Sequence, residues 1–115
     1  MKTTKILFLL LFFSIGGLAS PSYAKSVKGT ASFSVSGNCD QCKMRIETGA
    51  KNGGASKANW NTETKIIKVA FDPAKTTPDK IQQSIANTGY DTEKYPASSE
   101  AYQKLPHCCQ YTKKE

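Results

Sequence analysis

The chain has 115 residues and a net charge of +7, from 16 basic and 9 acidic residues, with four cysteines and a single histidine. This length suits one small domain and excludes a large multidomain enzyme. The first 24 residues are far more apolar than the rest, so the charge and hydropathy of the whole chain mix two different segments.

The N-terminal segment 1–24 has the pattern of a signal peptide. Two lysines make a basic start, residues 6–18 form an almost uninterrupted apolar run, and Ser22-Tyr23-Ala24 places small residues around a cleavage site. The alternative is a retained membrane anchor, but this run is shorter than the ~20 residues that a helix needs to cross the hydrocarbon core. We therefore expect cleavage and a periplasmic or otherwise extracytoplasmic mature chain that does not insert into the membrane.

The mature chain from Lys25 to Glu115 has a net charge of +5, from 14 basic and 9 acidic residues. Its lysines are scattered, and only Lys113 and Lys114 are adjacent, which favours a solvated basic surface and predicts no nucleic-acid partner. Export places all four cysteines in a compartment where disulfides form unless the thiols are kept reduced or bound to metal.

The first part of the mature chain predicts a strand followed by a short helix. Ala31, Phe33 and Val35 alternate with polar residues, which is the period of a strand with one buried face, and this strand ends at Gly37. From Asp40 to Asn52, apolar residues recur every four positions, and a Gly-Gly pair stops the predicted helix.

The next part predicts a hairpin, a second helix and a last strand. Alternating runs end at Trp60 and resume at residues 67–71, with a polar turn between them. Thr77 supplies a capping hydroxyl, a proline follows at the first helical position, and Gly89 ends this helix. Residues 90–95 are polar enough for a strand at the edge of a sheet.

This order of elements predicts the α+β class. It matches the ferredoxin-like βαββαβ sandwich, in which two helices pack on one face of a four-stranded antiparallel sheet. We expect this domain to span residues 25–95. Residues 96–115 would then form a linker and a Cys-containing C-terminal tail.

Cys39 and Cys42 are separated by two residues and lie between the first strand and the first helix. Unpaired backbone N–H groups and the positive end of the helix dipole stabilise thiolates there, which favours metal binding or redox chemistry over inert burial. Thiolates are soft ligands, so this pair suits Cu(I), Hg(II), Cd(II) or Zn(II) and excludes Mg(II) and Ca(II).

The cysteine pair has three other interpretations, because CxxC also occurs in redox proteins, zinc sites and ordinary disulfides. The mature residues ahead of Cys39 have room for one strand, whereas a thioredoxin-like protein normally has a βα unit and a further strand there. This difference disfavours the redox interpretation. A structural zinc site needs two more ligands at close spacing, and their absence makes zinc less favoured without excluding it. A disulfide closing so small a loop is often reducible, so it can be the resting state of a metal site.

Several short motifs follow one another in a specific order along the chain. They are Val35-Ser36-Gly37, Cys39-Asp40-Gln41-Cys42, Ile46, the Val69-to-Pro73 segment Val-Ala-Phe-Asp-Pro, Pro78, Ile81, Ile85 and Gly89-Tyr90. In this order, over about Val27 to Tyr95, they resemble the heavy-metal-associated domain family. The chain departs from the family in one place. A single residue separates Gly37 from Cys39, whereas the family usually has two residues there, a methionine and one other.

The resemblance implies a function as well as a fold. Members of this family hold Cu(I) or Hg(II) between two cysteines on an exposed loop and pass the ion to a partner by thiolate exchange. By resemblance, Cys39 and Cys42 would be the ligands and Tyr90 would lie beside them. The implied cargo is a soft metal ion, Cu(I) first, with Hg(II) or Zn(II) next. The implied partner of this monomer is a metal-transporting membrane protein or a soluble metal acceptor.

The tail ends with His107, Cys108 and Cys109, which place one imidazole and two sulfurs within three residues. One interpretation makes them auxiliary ligands at the Cys39–Cys42 pair or a second capture site. The other gives one cysteine a long-range disulfide, or joins the two in a strained vicinal bridge. Sequence does not fix the connectivity.

The residues show no catalytic constellation, since there is one histidine, no nucleophile motif and no pairing of carboxylates. The sequence therefore predicts no enzyme. The main hypothesis is an extracytoplasmic metal scavenger or metallochaperone. The rival hypotheses are a thiol-disulfide redox module and a disulfide-stabilised interaction domain.

Overall fold

The computed structural model describes residues 28–113, and the predicted signal peptide lies outside this range. The elements are β1 (Gly29–Ser34), α1 (Asp40–Asn52), β2 (Ala55–Trp60), β3 (Ile66–Phe71), α2 (Pro78–Asn87), α3 (Ser99–Gln103) and a 3-10 turn (His107–Cys109). The first five follow the predicted order. Within residues 28–113, no helix has both the length and the apolar character needed to cross a membrane.

The three strands form one antiparallel sheet in the order β1-β3-β2. On the central strand, Ile67 lies opposite Phe33 of β1 and opposite Trp60 of β2. Directly opposed residues of antiparallel strands share a face of the sheet. All three side chains are buried, so this face carries the sheet's part of the core.

The predicted fourth strand does not form within the described residues, so the expectation of a four-stranded sheet is not confirmed. One antiparallel bridge joins Val35 to Thr92. The chain then turns, because the backbone N–H and the hydroxyl of Thr92 donate to the Tyr95 carbonyl at 2.8 and 3.1 Å. The Glu93 carboxylate accepts from the backbone N–H of Ser34 at 3.4 Å. Side-chain hydrogen bonds thus compete here with the backbone hydrogen bonds that a fourth strand would form.

Both long helices lie where the sequence predicts them. Thr77 caps α2 by accepting from the backbone N–H of Lys80 at 3.2 Å, and a proline occupies the first helical position. The two helices pack on each other, and Ile46 of α1 and Ile81 and Ile85 of α2 are fully buried in the core that they share. The helical layer and the sheet therefore enclose one core.

The C-terminal tail packs onto this core. Ser98 starts α3 by accepting from the backbone N–H of Ala101 at 3.1 Å. Leu105, Cys109 and Tyr111 are buried in the same apolar cluster as the strands and helices. The apolar residues of the tail thus complete the core of the described unit.

Tyr111 anchors the tail to the loop that follows α2. Its hydroxyl donates to the Gly89 carbonyl and accepts from the backbone N–H of Asp91, both at 2.9 Å. Its ring meets the Tyr102 ring edge to face, with centroids 5.0 Å apart. Lys113 adds an ion pair to Asp91 at 2.7 Å. These contacts hold the 3-10 turn beside the start of α1, which it contacts.

Candidate metal centre

The loop that leads to Cys39 lies on the ring of Trp60. A Cβ at Gly37 would come within 3.0 Å of both the Trp60 ring and the Ile46 side chain, so the absence of a side chain permits this close approach. The Trp60 indole N–H donates to the Val35 carbonyl at 3.0 Å. The tryptophan thereby fixes both the end of β1 and the floor of the cysteine loop.

Cys39 is the residue immediately before α1. Its backbone is extended, with φ −143° and ψ −172°, and its carbonyl accepts a helical hydrogen bond from Lys43 at 3.1 Å. Its thiol makes no capping bond to the helix and is half-buried. Cys42 lies almost one turn later and is 0% exposed. The helix dipole favours negative charge at this end, which suits metal-bound thiolates.

The 3-10 turn brings two further cysteines to this pair. The sulfur of Cys39 lies 3.8 Å from the carbonyl oxygen of Cys108, and that of Cys42 lies 4.0 Å from the carbonyl oxygen of Cys109. The Cys108 thiol donates to the Gln41 side-chain oxygen at 2.7 Å. The sulfurs of Cys39, Cys108 and Cys109 all lie within 4.8 Å of one another.

The four sulfurs form a gradient of exposure. Cys108 is exposed, Cys39 is half-buried, and Cys42 and Cys109 are fully buried. All four are free thiols. An ion that arrives from solvent therefore meets Cys108 and Cys39 first.

Tyr90 is buried beside the sulfurs of Cys42 and Cys109. Its hydroxyl has no hydrogen-bond partner among the described residues. Burial raises the pKa of this phenol, and the neighbouring thiols of Cys109 and Cys42 raise it further. The hydroxyl therefore stays protonated and is available as a donor. Metal binding converts thiols to thiolates and would give this donor an acceptor, so the surroundings fit a soft cation.

The structure separates the three tail residues that the sequence singled out. Within residues 28–113, the cluster of mutually close metal-ligating atoms includes Cys108 and Cys109 but leaves out His107, which is exposed. Sequence reasoning missed Gln41 as the partner of Cys108. It also gave no sign that Cys39, and not its CxxC partner, belongs to the cluster with the tail sulfurs.

The family follows from comparison with known proteins. Residues 32–91, just over half of the chain, match the family model described as heavy-metal-associated domain. The chain belongs to the heavy-metal-associated domain family. This match ends before the tail that carries Cys108 and Cys109.

Two relatives of this heavy-metal-associated domain carry different metals in their names. It is 32% identical over 91 residues to the mercuric transport protein periplasmic component of Shewanella putrefaciens, which covers 78% of this chain and 93% of that protein. It is 43% identical over 58 residues to the copper-exporting P-type ATPase of Bacillus subtilis, which covers 49% of this chain and 7% of the ATPase.

Solved structures of the family share this fold. Oxidized MerP from Ralstonia metallidurans CH34 matches with a TM-score of 0.54 and 30% identity, covering 58% of this chain and 96% of that one. The CopZ metallochaperone matches with a TM-score of 0.52 and 27% identity, covering 56% of this chain and 98% of that one. The ferredoxin-like α+β class and the heavy-metal-associated family are therefore confirmed, and the family supports binding of a soft metal.

Proposed function

We propose that the mature chain binds one soft heavy-metal ion through Cys39 and Cys42 and carries it to a transporter or a soluble acceptor. The observation that carries this proposal is the position of the pair at the start of α1, beside the buried hydroxyl of Tyr90, which has no hydrogen-bond partner among residues 28–113. The two sulfurs bind the ion as thiolates. The N-terminus of the helix and the buried neutral donor both stabilise the negative charge of these thiolates.

The proposed cargo is Cu(I) first and Hg(II) second, with Zn(II) a further candidate. Thiolates select soft ions, and no harder ligand belongs to the cluster of ligating atoms in residues 28–113. The copper-exporting relative has the higher identity of the two relatives described, over its shorter match, whereas the mercuric transport component matches more of the chain. Both observations support a soft ion.

Delivery by thiolate exchange requires a sulfur that a partner can reach. Cys108 is exposed and Cys39 is half-buried, so an incoming thiolate can attack an ion held there. We propose a metal-transporting membrane protein or a soluble metal carrier as the acceptor, with this chain acting as a monomeric scavenger or metallochaperone and not as an enzyme. The similarity to part of a copper-exporting ATPase supports such a partner.

We propose that this transport takes place outside the cytoplasm, after removal of segment 1–24. The apolar run of this segment and the periplasmic relative support export. The mass of the protein recovered from a periplasmic extract tests the proposal. A chain that begins at Lys25 supports it, and an intact chain found only in the cytosol contradicts it.

Native mass spectrometry of the reduced mature chain, titrated with Cu(I), Hg(II) and Zn(II), tests the binding proposal. We expect a tight one-to-one complex that is lost in the Cys39→Ser, Cys42→Ser double variant. Met44→Leu is the control, because it removes an exposed sulfur on α1, 69% accessible, outside the site. The absence of a tight complex, or one of unchanged affinity without both cysteines, would overturn the proposal.

A thiol-disulfide redox module is the second candidate function. The observation that favours it is the set of three sulfurs within 4.8 Å, one exposed and one half-buried, since thiol exchange needs accessible and closely placed cysteines. Catalytic turnover of a disulfide substrate by the metal-free reduced chain would favour this function. A metal carrier takes up and releases an ion without such turnover.

A further inference from the structure

We propose that the tail adds a second metal site, made by the three thiolates of Cys39, Cys108 and Cys109, which retains the ion until the tail moves away. This inference rests on the proposed function, because it requires the chain to bind a soft ion. It goes beyond the two-cysteine site, because two of its ligands lie outside the segment that matches the family.

The distances between the three sulfurs are close to those of a three-coordinate site. Thiolates bonded to one ion at about 2.3 Å lie about 4 Å from one another. The three sulfurs now lie within 4.8 Å of one another, so they need to approach by less than about 1 Å. Cys108 is exposed on a three-residue turn and has space to make this movement.

Cys39 is shared by the two sites. Cys42 does not belong to the cluster of three close sulfurs within residues 28–113, and it is buried near Tyr90 and the carbonyl of Cys109. An ion bonded to Cys39 can therefore keep that bond while its other ligands exchange. Entry and retention need not involve release into solvent.

The exchange balances in bonds and protons without any redox step. The bond between the metal and Cys42 breaks, and this thiolate takes up one proton. Bonds to Cys108 and Cys109 form, and each of these thiols loses one proton to solvent, since metal ligands must be deprotonated. Cys108 also gives up its hydrogen bond to the Gln41 oxygen. This bond is exposed to solvent, so its loss costs little free energy because water can replace it.

The tail has the anchors that such a site needs. Leu105 and Tyr111 are buried in the core on either side of the 3-10 turn, and Tyr111 bonds the loop after α2 through its hydroxyl. Cys109 is itself buried, so only Cys108 of the two tail ligands lies in solvent. The three-thiolate site is thus largely pre-formed and selects soft ions that accept three sulfurs, such as Cu(I) and Hg(II).

X-ray absorption at the copper edge, on the reduced mature chain with one equivalent of Cu(I), counts the sulfur ligands directly. We expect three sulfurs in the wild type, two in Cys108→Ser, and three in Cys42→Ser. His107→Ala is the matched control, because it changes the exposed neighbour outside the cluster and should keep three sulfurs. Cys108 is exposed, so serine there should leave the fold intact, as circular dichroism would verify.

Two sulfurs in the wild type, with no change in Cys108→Ser, would overturn this inference and leave the two-cysteine proposal standing. A chain that binds no Cu(I) at all overturns both. The rate at which a chelator removes Cu(I) is a second readout. Cys108→Ser should release the ion about tenfold faster or more, since even the loss of an outer partner of a metal ligand costs about that much in affinity. Equal rates in Cys108→Ser and His107→Ala would also contradict a retaining site.

Discussion

At Tyr90, a buried hydroxyl has no hydrogen-bond partner among residues 28–113 beyond the weakly accepting thiols of Cys109 and Cys42, and a metal-bound thiolate would be a stronger acceptor. Tyr90→Phe removes this hydroxyl and keeps a ring that can stack on Tyr111, where the centroids now lie 5.9 Å apart. We expect the metal-free protein to gain about 1 kcal/mol in the free energy of unfolding, because an unsatisfied buried polar group costs that or more. We expect its affinity for Cu(I) to fall about tenfold, because a hydrogen bond to a charged group contributes about 1.5–3 kcal/mol.

Urea unfolding of the metal-free chain and Cu(I) competition against a chelator measure these two opposite effects. Tyr102→Phe is the control, because its hydroxyl donates to the Tyr111 carbonyl and is therefore satisfied. This second variant should lose about 1 kcal/mol in the metal-free state. A Tyr90→Phe protein that is less stable without metal and binds Cu(I) with unchanged affinity would contradict the role of the hydroxyl.

Part of the site was predictable from single residues. The spacing of Cys39 and Cys42 and their place before a helix indicate thiolate chemistry, because these signals are local. The contact of Cys108 with Gln41 joins residues 67 positions apart, so it depends on where the tail docks. Sequence patterns of period two or four carry no information about such a contact.

Among the elements, the loop after α2 leaves space for the tail at Gly89. Its φ is +113°, and a Cβ there would lie 2.9 Å from the Ala101 carbonyl oxygen and from the Leu105 side chain. Gly89→Ala should therefore strain the loop and push the tail away from the core. We expect faster alkylation of the buried Cys109 thiol, measured by mass spectrometry of peptides from the reduced protein.

Gly54→Ala is the matched control for this effect. Gly54 has a similar φ of +110°, and a Cβ there would meet Thr76 at 2.7 Å, away from the tail. This variant carries the same kind of backbone strain but should leave alkylation of Cys109 at the wild-type rate under native conditions. Equal acceleration in both variants would show that general destabilisation, and not tail displacement, exposes the thiol.

An ion pair joins the turn after Gly89 to the first turn of α2. Lys94 bonds Asp79 at 3.1 Å, which lowers the pKa of the Asp79 carboxyl below 3.8, and the hydroxyl of Tyr95 lowers it further. The same pair raises the pKa of Lys94 above 10.5. The contribution of Asp79 to stability is therefore present above pH 3.8 and lost as the pH falls through its lower folded-state pKa. The contribution of Lys94 is present below pH 10.5 and lost as the pH rises through its raised pKa.

The Asp79→Asn variant tests this pH dependence. Both side chains are largely exposed, so solvent screening keeps the effect small. We expect a small loss in the free energy of unfolding at neutral pH that shrinks as the pH falls through the lowered pKa of Asp79, measured by urea unfolding of both proteins. A difference between the two proteins that persists unchanged in acid would contradict the ion-pair explanation.

The elements that the sequence predicted correctly have local signals. The stripe of α1 and the Thr77 cap of α2 are complete within a few turns of chain. The fourth strand failed because Thr92 and Glu93 offer the backbone side-chain hydrogen bonds, which period-two reasoning does not consider. A tail that folds back onto the cysteine pair was one of the interpretations that the sequence left open, and the burial of Leu105 and Tyr111 in the core favours it.

For the whole molecule, core, site and tail form one unit, so metal binding should stabilise the folded state. A ligand that binds only the folded chain adds about 4 kcal/mol at a free concentration of about a thousand times its Kd. We expect buffered Cu(I) to raise the Tm of the reduced wild type and to leave that of Cys39→Ser, Cys42→Ser almost unchanged. Thermal unfolding followed by circular dichroism measures both, and an equal rise in the two proteins would place the ion elsewhere.

In both proposed sites a soft ion bonds to Cys39, whichever sulfurs complete its ligands. The most direct measurement is anomalous diffraction from crystals of the reduced mature chain loaded with one equivalent of Hg(II). A metal site at Cys39 predicts one mercury peak within bonding distance of its sulfur, with further bonds to Cys42 or to Cys108 and Cys109. A peak that does not bond to Cys39 would contradict the claim.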